Sequence, residues 1–320
     1  MSAVLFFLLK AATFRTGRTG PHFVWNTEVL QVMNCNTRRA YVGALRRLEK
    51  WLDGQRLTDE RLAGWIADLA ICGRTAASAV QTVSAVKYFA RHHGFESPVG
   101  PRTATALNRT RRETAGCGRG QVLAATRDDV EQLLSVVREP RTYPSGRRES
   151  VRRAQRRTLA DLALIAVLYL GGLRASEAAL LRWTDVTAVG DGEGIRIWVR
   201  RSKSNPYGAQ SDVRFVKGVF AESLLQWREA DGAAEGDDRL AFGGLTAATL
   251  SRRVAAAADY AGLKKRLTAH SFRVGLAVEL TRLGASMQEI MHAGNWKSPG
   301  MVAQYSAAAR ATGGAVARLM

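Results

Sequence analysis

Residues 268–305, TAHSFRVGLAVELTRLGASMQEIMHAGNWKSPGMVAQY, are punctuated so densely by helix starts and stops that they predict three short helices joined by tight turns. Over 271–283, Phe272, Leu276, Ala277, Leu280 and Leu283 form a helical stripe, and Gly284 is suited to end it. Ser286 and Glu289 have capping-box spacing, so a second helix begins with Ile290 and Met291 and ends near Gly294. Ser298 followed by Pro299 reads as a cap and a first-turn proline, so a third short helix carries Tyr305. His270 and Arg273 stand one helical turn apart on the first helix, Trp296 follows the second, and Tyr305 rides separately on the third. These side chains suit phosphate chemistry. A guanidinium and an indole N–H donate to phosphate oxygens, an imidazole donates or shuttles a proton, and a phenol attacks phosphorus.

A chain of 320 residues with 46% hydrophobic content can bury one or two cores, and two domains are expected. Residues 1–34 are a weakly patterned extension. Their apolar run at 4–9 is too short to span a bilayer and has no basic residue before it, against both a membrane anchor and a signal peptide. Residues 35–110 read as helical throughout. Thr37 can cap a helix with Tyr41, Leu45, Leu48 and Leu52 on one face, and Thr58 opens a second with Leu62, Trp65, Ile66 and Leu69, closed by Gly73. Residues 75–92 place Ala79, Val83, Val86 and Phe89 inward and Lys87 and Arg91 outward. A fourth helix is expected after Ser97 and Pro98. The absence of a strand pattern predicts a helical domain with a basic exterior.

Residues 111–124 read as a linker, and from Arg109 to Val122 the arginines Arg109, Arg111, Arg112 and Arg119 mix with Gly116, Gly118 and Gly120 in a flexible strap. The second domain, 125–320, opens on a Thr126–Asp129 capping box with Val130, Leu133, Leu134 and Val137 at helical spacing. Eight arginines between 138 and 157 form a charged loop, a kind of run that is usually only solvated. Thr158 and Asp161 read as the cap of the next helix, with Leu162, Ile165, Ala166 and Tyr169 in its core. Gly171 and Gly172 interrupt it, and Arg174 follows with Glu177 three residues on; alone, that spacing reads as an ion pair. Residues 195–200 and 213–216 alternate as the strands of a hairpin with Lys203 at its turn. Residues 249–260 form a helix with Arg252 and Arg253 on one side and Leu250 and Val254 on the other, of a shape that fits a major groove. The fold class is therefore mostly α with a small antiparallel β-sheet in the second domain.

The formal charge of +19 comes from arginine spread along the chain, which favours an extended polyanion as partner. Three cysteines, Cys35, Cys72 and Cys117, lack metal-ligand spacing and fit a reducing cytoplasm without structural zinc.

Arg174, Lys203, His270, Arg273, Trp296 and Tyr305, in that order and spacing, resemble the active-site set of the tyrosine site-specific recombinases, the phage-integrase family. RVG after the histidine motif, EIMHAGNW, the ending YSAAARATGGAVARLM and the opening QVLAATRDDVEQLL carry the same resemblance, which covers residue 36 to the end. It implies an N-terminal core-binding domain of SAM-like type and a mixed catalytic domain, clamped on opposite sides of a DNA duplex. Tyr305 would attack the scissile phosphate and form a 3′-phosphotyrosyl link, with Arg174 and Arg273 on the nonbridging oxygens, assisted by His270 and Trp296. A phenol with an ordinary pKa of about 10 is mostly protonated at neutral pH, which makes His270 the candidate base. Glu177 would orient the site and Lys203 would protonate the leaving 5′ oxygen. Trp296 stands where most family members carry histidine, and the arginine-rich insertion has no obvious counterpart. The resemblance also implies no cofactor, metal or ATP, no membrane and no small-molecule substrate. The expected partners are double-stranded DNA with an inverted-repeat site and three further copies in a homotetramer on two such sites, coupled through a C-terminal exchange helix at 313–320. The expected location is the cytoplasm, at the nucleoid. Arg253 is the candidate base reader, with Arg252, Lys87, Arg109 and Arg111 as further DNA contacts, while Tyr207 and Tyr260 read as structural. Two other readings are a type IB topoisomerase and a DNA-binding protein with a dead site.

Overall fold

Leu45, Leu48 and Leu52 lie buried along α1 (Cys35–Leu52). They meet the inward stripes of α2 (Asp59–Ile71) and α3 (Ala76–His92), so that Leu62, Ile66, Val83, Val86 and Phe89 share one core, bordered by α4 (Pro101–Glu113). The structure is a computed structural model of the chain. It describes Met33, Gly208, Ala309 and residues 35–115, 122–190, 193–201 and 212–307. The chain divides into two compact units, Met1–Gly120 and Gln121–Met320.

In the first unit, Thr58 caps α2 by accepting the Arg61 amide at 3.3 Å, and Gly73 takes the left-handed conformation just beyond it, both as expected. One boundary differs. Because α1 begins at Cys35, Thr37 lies inside the helix and does not cap it. The fourth helix follows Ser97 and Pro98 as expected, beginning at Pro101, and its first amides are capped from another helix. Asp59, in the first turn of α2, accepts the amides of Gly100 (2.8 Å), Arg102 (2.9 Å) and Thr103 (2.9 Å) and the Thr103 hydroxyl (2.6 Å). Shielding from water opposes its ionisation, yet the bonds from Thr103, Arg102 and Gly100 win and hold its pKa at about 2. Helix α4 runs through Arg109, Arg111 and Arg112, so these three are helical rather than part of a strap. Arg119 and its neighbouring glycines, like residues 1–32 and 313–320, lie outside the described residues.

The second unit is built on α6 (Val151–Tyr169), which packs against α8 (Val219–Asp231), α9 (Ala247–Tyr260) and α10 (Ala269–Arg282). Helix α5 (Arg127–Leu134) opens the unit on the expected capping box, and α7 (Ala175–Ala178) is a single turn after the glycine pair. Three antiparallel strands, β1 (Val186–Val189), β2 (Gly194–Trp198) and β3 (Val213–Val216), lie in the order β1-β2-β3, with Ile197 opposite both Val186 and Arg214. Ile195, Ile197 and Val216 turn into the core while Trp198 and Phe215 stay exposed, the alternation of a one-sided sheet. Helices α11 (Met287–Gly294) and α12 (Pro299–Tyr305) complete the punctuated segment as expected, with Ser286 capping α11 and Pro299 opening α12. Fold class and helix order follow the sequence; β1 and α8 carried no expectation.

Thr158 and Asp161 do not open a helix. Ser150 does, accepting the Arg153 amide at 3.3 Å, and α6 runs unbroken through both residues. Thr158 instead accepts the Arg138 amide at 2.9 Å, and Asp161 binds Arg138 at 3.1 Å and Arg253 at 2.6 Å. A buried mid-helix carboxylate is tolerable once two guanidiniums neutralise it. The arginine-rich loop before Ser150 is a tight hairpin in which Tyr143 donates to the Arg147 carbonyl (2.9 Å) and Arg157 holds the buried Glu149 (2.7 Å).

Candidate active site

Helix α10 starts where Thr268 and Ser271 cap one another, the Thr268 amide donating to the Ser271 hydroxyl at 3.0 Å. That start places His270 and Arg273 at its N-terminal end. Arg273 is only 1% exposed and makes two bonds to backbone carbonyls, to Gly172 and, at 2.6 Å, to Gly294. One carbonyl ends the α6 turn that leads to Arg174; the other ends α11. The guanidinium also lies 4.5 Å from the centre of the Trp296 ring, a cation–π contact that fixes its plane. Burial, and after it the charge of Arg174, push the Arg273 pKa down to about 9, so it remains a cation at neutral pH.

Trp296 is 2% exposed because Gly294 makes room for it; a Cβ on Gly294 would lie 2.0 Å from the indole. Among the described residues its Nε1 has no hydrogen-bond partner. A buried donor without an acceptor is costly unless a ligand supplies one. Tyr305, at the end of α12, brings its hydroxyl to 3.3 Å from His270 Nε2 and its ring edge-on to Trp296, with centres 6.3 Å apart. Loss of water around its ring, then the charges of Arg273 and Arg174, lower the His270 pKa, although the residue keeps an open face to solvent. Arg174 caps α7 and pairs with Glu177, whose carboxylate takes its side chain at 2.5 Å and its amide at 2.8 Å. Glu177 is buried, so the ion pair expected from the spacing holds Arg174 in place from beneath.

The fold thus gathers Glu177, His270, Arg273 and Tyr305 from three helices, and Arg174 and Trp296 from the turns beside α7 and α11, into one cluster. The arrangement can bind an anion through two guanidiniums and a free indole N–H, with a phenol beside a neutral imidazole. Lys203 lies outside the described residues, as does Tyr207. Arg253 is held by Asp161, as α6 requires, and Arg252 is exposed and bonded to the Thr249 hydroxyl at 3.1 Å. In the first unit Lys87 is exposed, Arg109 pairs with Glu113 at 2.6 Å, and Arg111 donates to Asn108 at 3.1 Å. Tyr260 accepts the Glu139 amide at 3.0 Å, a structural part. Among the described residues no group of three or more His, Cys, Asp or Glu could hold a metal ion. Cys35 and Cys72 are free and exposed, and among the described residues no helix is long and apolar enough to cross a membrane.

Sequence reasoning passed over Asp212, Arg214 and Asn295, which lie buried or half-buried against this cluster. Asp212 and Arg214 look like polar residues of a strand end. Their only signal was two charges at positions where alternation places them on the buried face with Val216.

A helical unit with a small antiparallel sheet, ending in a helix that carries a tyrosine to an Arg-His-Trp cluster, is the class of structure that the fold and the site define. The profile described as Phage integrase family matches residues 126–311, and the chain belongs to that family. It is 26% identical over 238 residues to Recombinase cre of Escherichia phage P1, a match covering 67% of this chain and 65% of that protein, just under two thirds of the relative's length. The fold is similar to that of XerH site-specific recombinase bound to palindromic difH substrate, with a TM-score of 0.64, 16% identity and 88% and 78% of the two chains covered. It is also similar to a lambda integrase dimer bound to a COC′ core site, with a TM-score of 0.59, 17% identity and 88% and 92% coverage.

Proposed function

We propose that this protein is a site-specific DNA recombinase that cuts and rejoins DNA through a 3′-phosphotyrosyl intermediate. The observation that carries the reading is the hydroxyl of Tyr305 at 3.3 Å from His270 Nε2, beside a buried Arg273 and an indole N–H without a partner. A scissile phosphate in this cluster takes its nonbridging oxygens to Arg174 and Arg273 and completes the Trp296 donor. Charge that grows on those oxygens in the transition state is then met by groups already oriented. Tyr305 attacks phosphorus as its proton passes to His270, a bond forms to the phenolic oxygen, and the bond to the 5′ oxygen breaks. Lys203 is assigned the proton for that leaving oxygen.

Because the phosphotyrosyl link conserves the energy of the diester, the 5′ hydroxyl of a second duplex reverses the step without ATP or a metal. Membership of the phage integrase family and the DNA-bound recombinases of similar fold support double-stranded DNA as substrate. An inverted-repeat site, a homotetramer coupled through residues 313–320, a two-domain clamp and action at the nucleoid belong to the same reading.

A nicked duplex tests it, carrying a site selected from a random library and losing, after cleavage, the short fragment that bears the freed 5′ hydroxyl. Wild type accumulates a covalent protein–DNA adduct and Tyr305→Phe forms none. An adduct in Tyr305→Phe, or none in wild type on a bound site, overturns the assignment.

A further inference from the structure

The cluster is assembled from the ends of helices, yet one of its supports comes from the sheet. Asp212, just before β3, and Arg214, within it, are both almost fully buried and form a two-pronged ion pair, at 2.6 Å and 3.1 Å. Neither charge serves the sheet alone. Arg214 reaches across to donate to the Ala293 carbonyl at 2.6 Å, and Asp212 accepts from the Asn295 side chain at 2.6 Å. Ala293 and Asn295 flank Gly294, whose carbonyl takes the Arg273 guanidinium. Asn295 itself sits at φ 47, the left-handed residue that ends α11. Two strand-to-turn bonds therefore grip the one peptide that Arg273 leans on, one from each side.

Burying an ion pair costs free energy that a well-packed apolar pair would not, so stability alone is a poor reason for this arrangement. What the charges do provide is direction. A carboxylate and a guanidinium hold the atoms they bond to at a set distance and direction, whereas apolar contacts are non-directional. A phosphate-binding group has to be held within about 0.5 Å of its productive place.

We propose that Asp212, Arg214 and Asn295 are positioning residues that set the Gly294 carbonyl, and through it the guanidinium of Arg273 and the plane of Trp296. This rests on the reading of Arg273 as a ligand of the scissile phosphate. Asp212 has a second effect, since it neutralises Arg214 where that cation stands near Arg273. The charged or titratable groups acting on Arg273 are Arg174 and Glu177 around α7, Arg214 in β3 and Tyr305 in α12, with His270 one turn away on its own helix. Removing the Asp212 carboxylate leaves three guanidiniums facing one another with Glu177 alone to offset them.

Two substitutions in the full chain separate positioning from folding. Asn295→Gly keeps the left-handed turn, which glycine adopts freely, and deletes the bond to Asp212. Asp212→Asn keeps the shape and removes the charge. Each is measured for duplex affinity and for single-turnover adduct formation on the nicked duplex, with either an ordinary scissile phosphate or a methylphosphonate there. The methylphosphonate lacks the nonbridging charge that Arg273 is proposed to neutralise.

Cleavage of the ordinary duplex should fall about tenfold for Asn295→Gly and about a hundredfold for Asp212→Asn, the range expected when a reacting group is misplaced by about 1 Å. Affinity should stay within about twofold, because the other phosphate contacts that dominate binding are untouched. The defect should shrink on the methylphosphonate. Asn295→Gly cleaving at the wild-type rate defeats the inference, as does a defect of equal size on both substrates, which signals general loss of structure. A wild type that forms no adduct removes the recombinase reading itself; a wild-type adduct with unimpaired variants removes only the positioning role.

Discussion

His270 shows how neighbours prepare a residue for one protonation state. Shielding from water and two nearby guanidiniums all disfavour the imidazolium, so the ring is neutral near pH 7 and free to accept a proton. With His270 as the proposed base the neutral form is the active one, and the single-turnover cleavage rate should rise with pH through a pKa below about 6.5 and be lost under more acid conditions. A rate profile whose acid limb lies above about 6.5 would contradict the geometry. His270→Ala should remove that limb along with most of the rate. Arg273 is the opposite case, a cation kept despite burial because two carbonyls accept from it and an indole face lies beneath it. Its chemical type was legible in the sequence. Its partners were not, since backbone carbonyls leave no trace in side-chain patterns.

Among the elements, capping boxes decided where several helices begin, and they act locally. Ser286 with Glu289 and Thr126 with Asp129 start α11 and α5 as their spacing predicts. Thr158 with Asp161 has the same spacing and starts nothing, because Arg138 and Arg253 arrive from distant elements and claim the carboxylate. Asp59 is the reverse, a first-turn residue of α2 that also caps α4. Asp59→Ala should lower the stability of the protein by about 1–2 kcal/mol. With its folded pKa at about 2, below the ordinary value, the carboxylate stabilises the fold above about pH 4 and loses that effect as the pH falls toward about 2. Urea midpoints of wild type and Asp59→Ala should therefore converge over that same interval. A constant gap across it would show that the ionised form is not what caps α4. At the contact between α10 and the chain entering α5, a Cβ on Gly275 would come within 2.1 Å of the Ala125 carbonyl, so only glycine lets the two approach.

Over the whole molecule, positive charge prevails. The formal charge is +19, and Arg147, Arg148, Arg152 and Arg153 stand exposed with no carboxylate partner among the described residues. A polyanion that neutralises such groups releases condensed counterions, with a slope of about −0.9 per phosphate contacted. Affinity for duplex DNA should therefore fall roughly 10³- to 10⁵-fold between about 50 and 200 mM salt. Lys87→Gln should reduce the slope by about one if that lysine contacts phosphate. A nearly flat salt dependence would leave the charge without a role in binding.

The chain's own order of residues determined the helical character, the punctuated C-terminal helices and the chemical types of the cluster, because periodicity and capping are short-range properties. Tertiary structure alone decided which carbonyls hold Arg273, how Tyr305 meets His270, and that Asp212, Arg214 and Asn295 brace the turn between them. Those contacts join residues 21 to 101 positions apart in the chain, and no local pattern encodes which distant backbone a guanidinium will find.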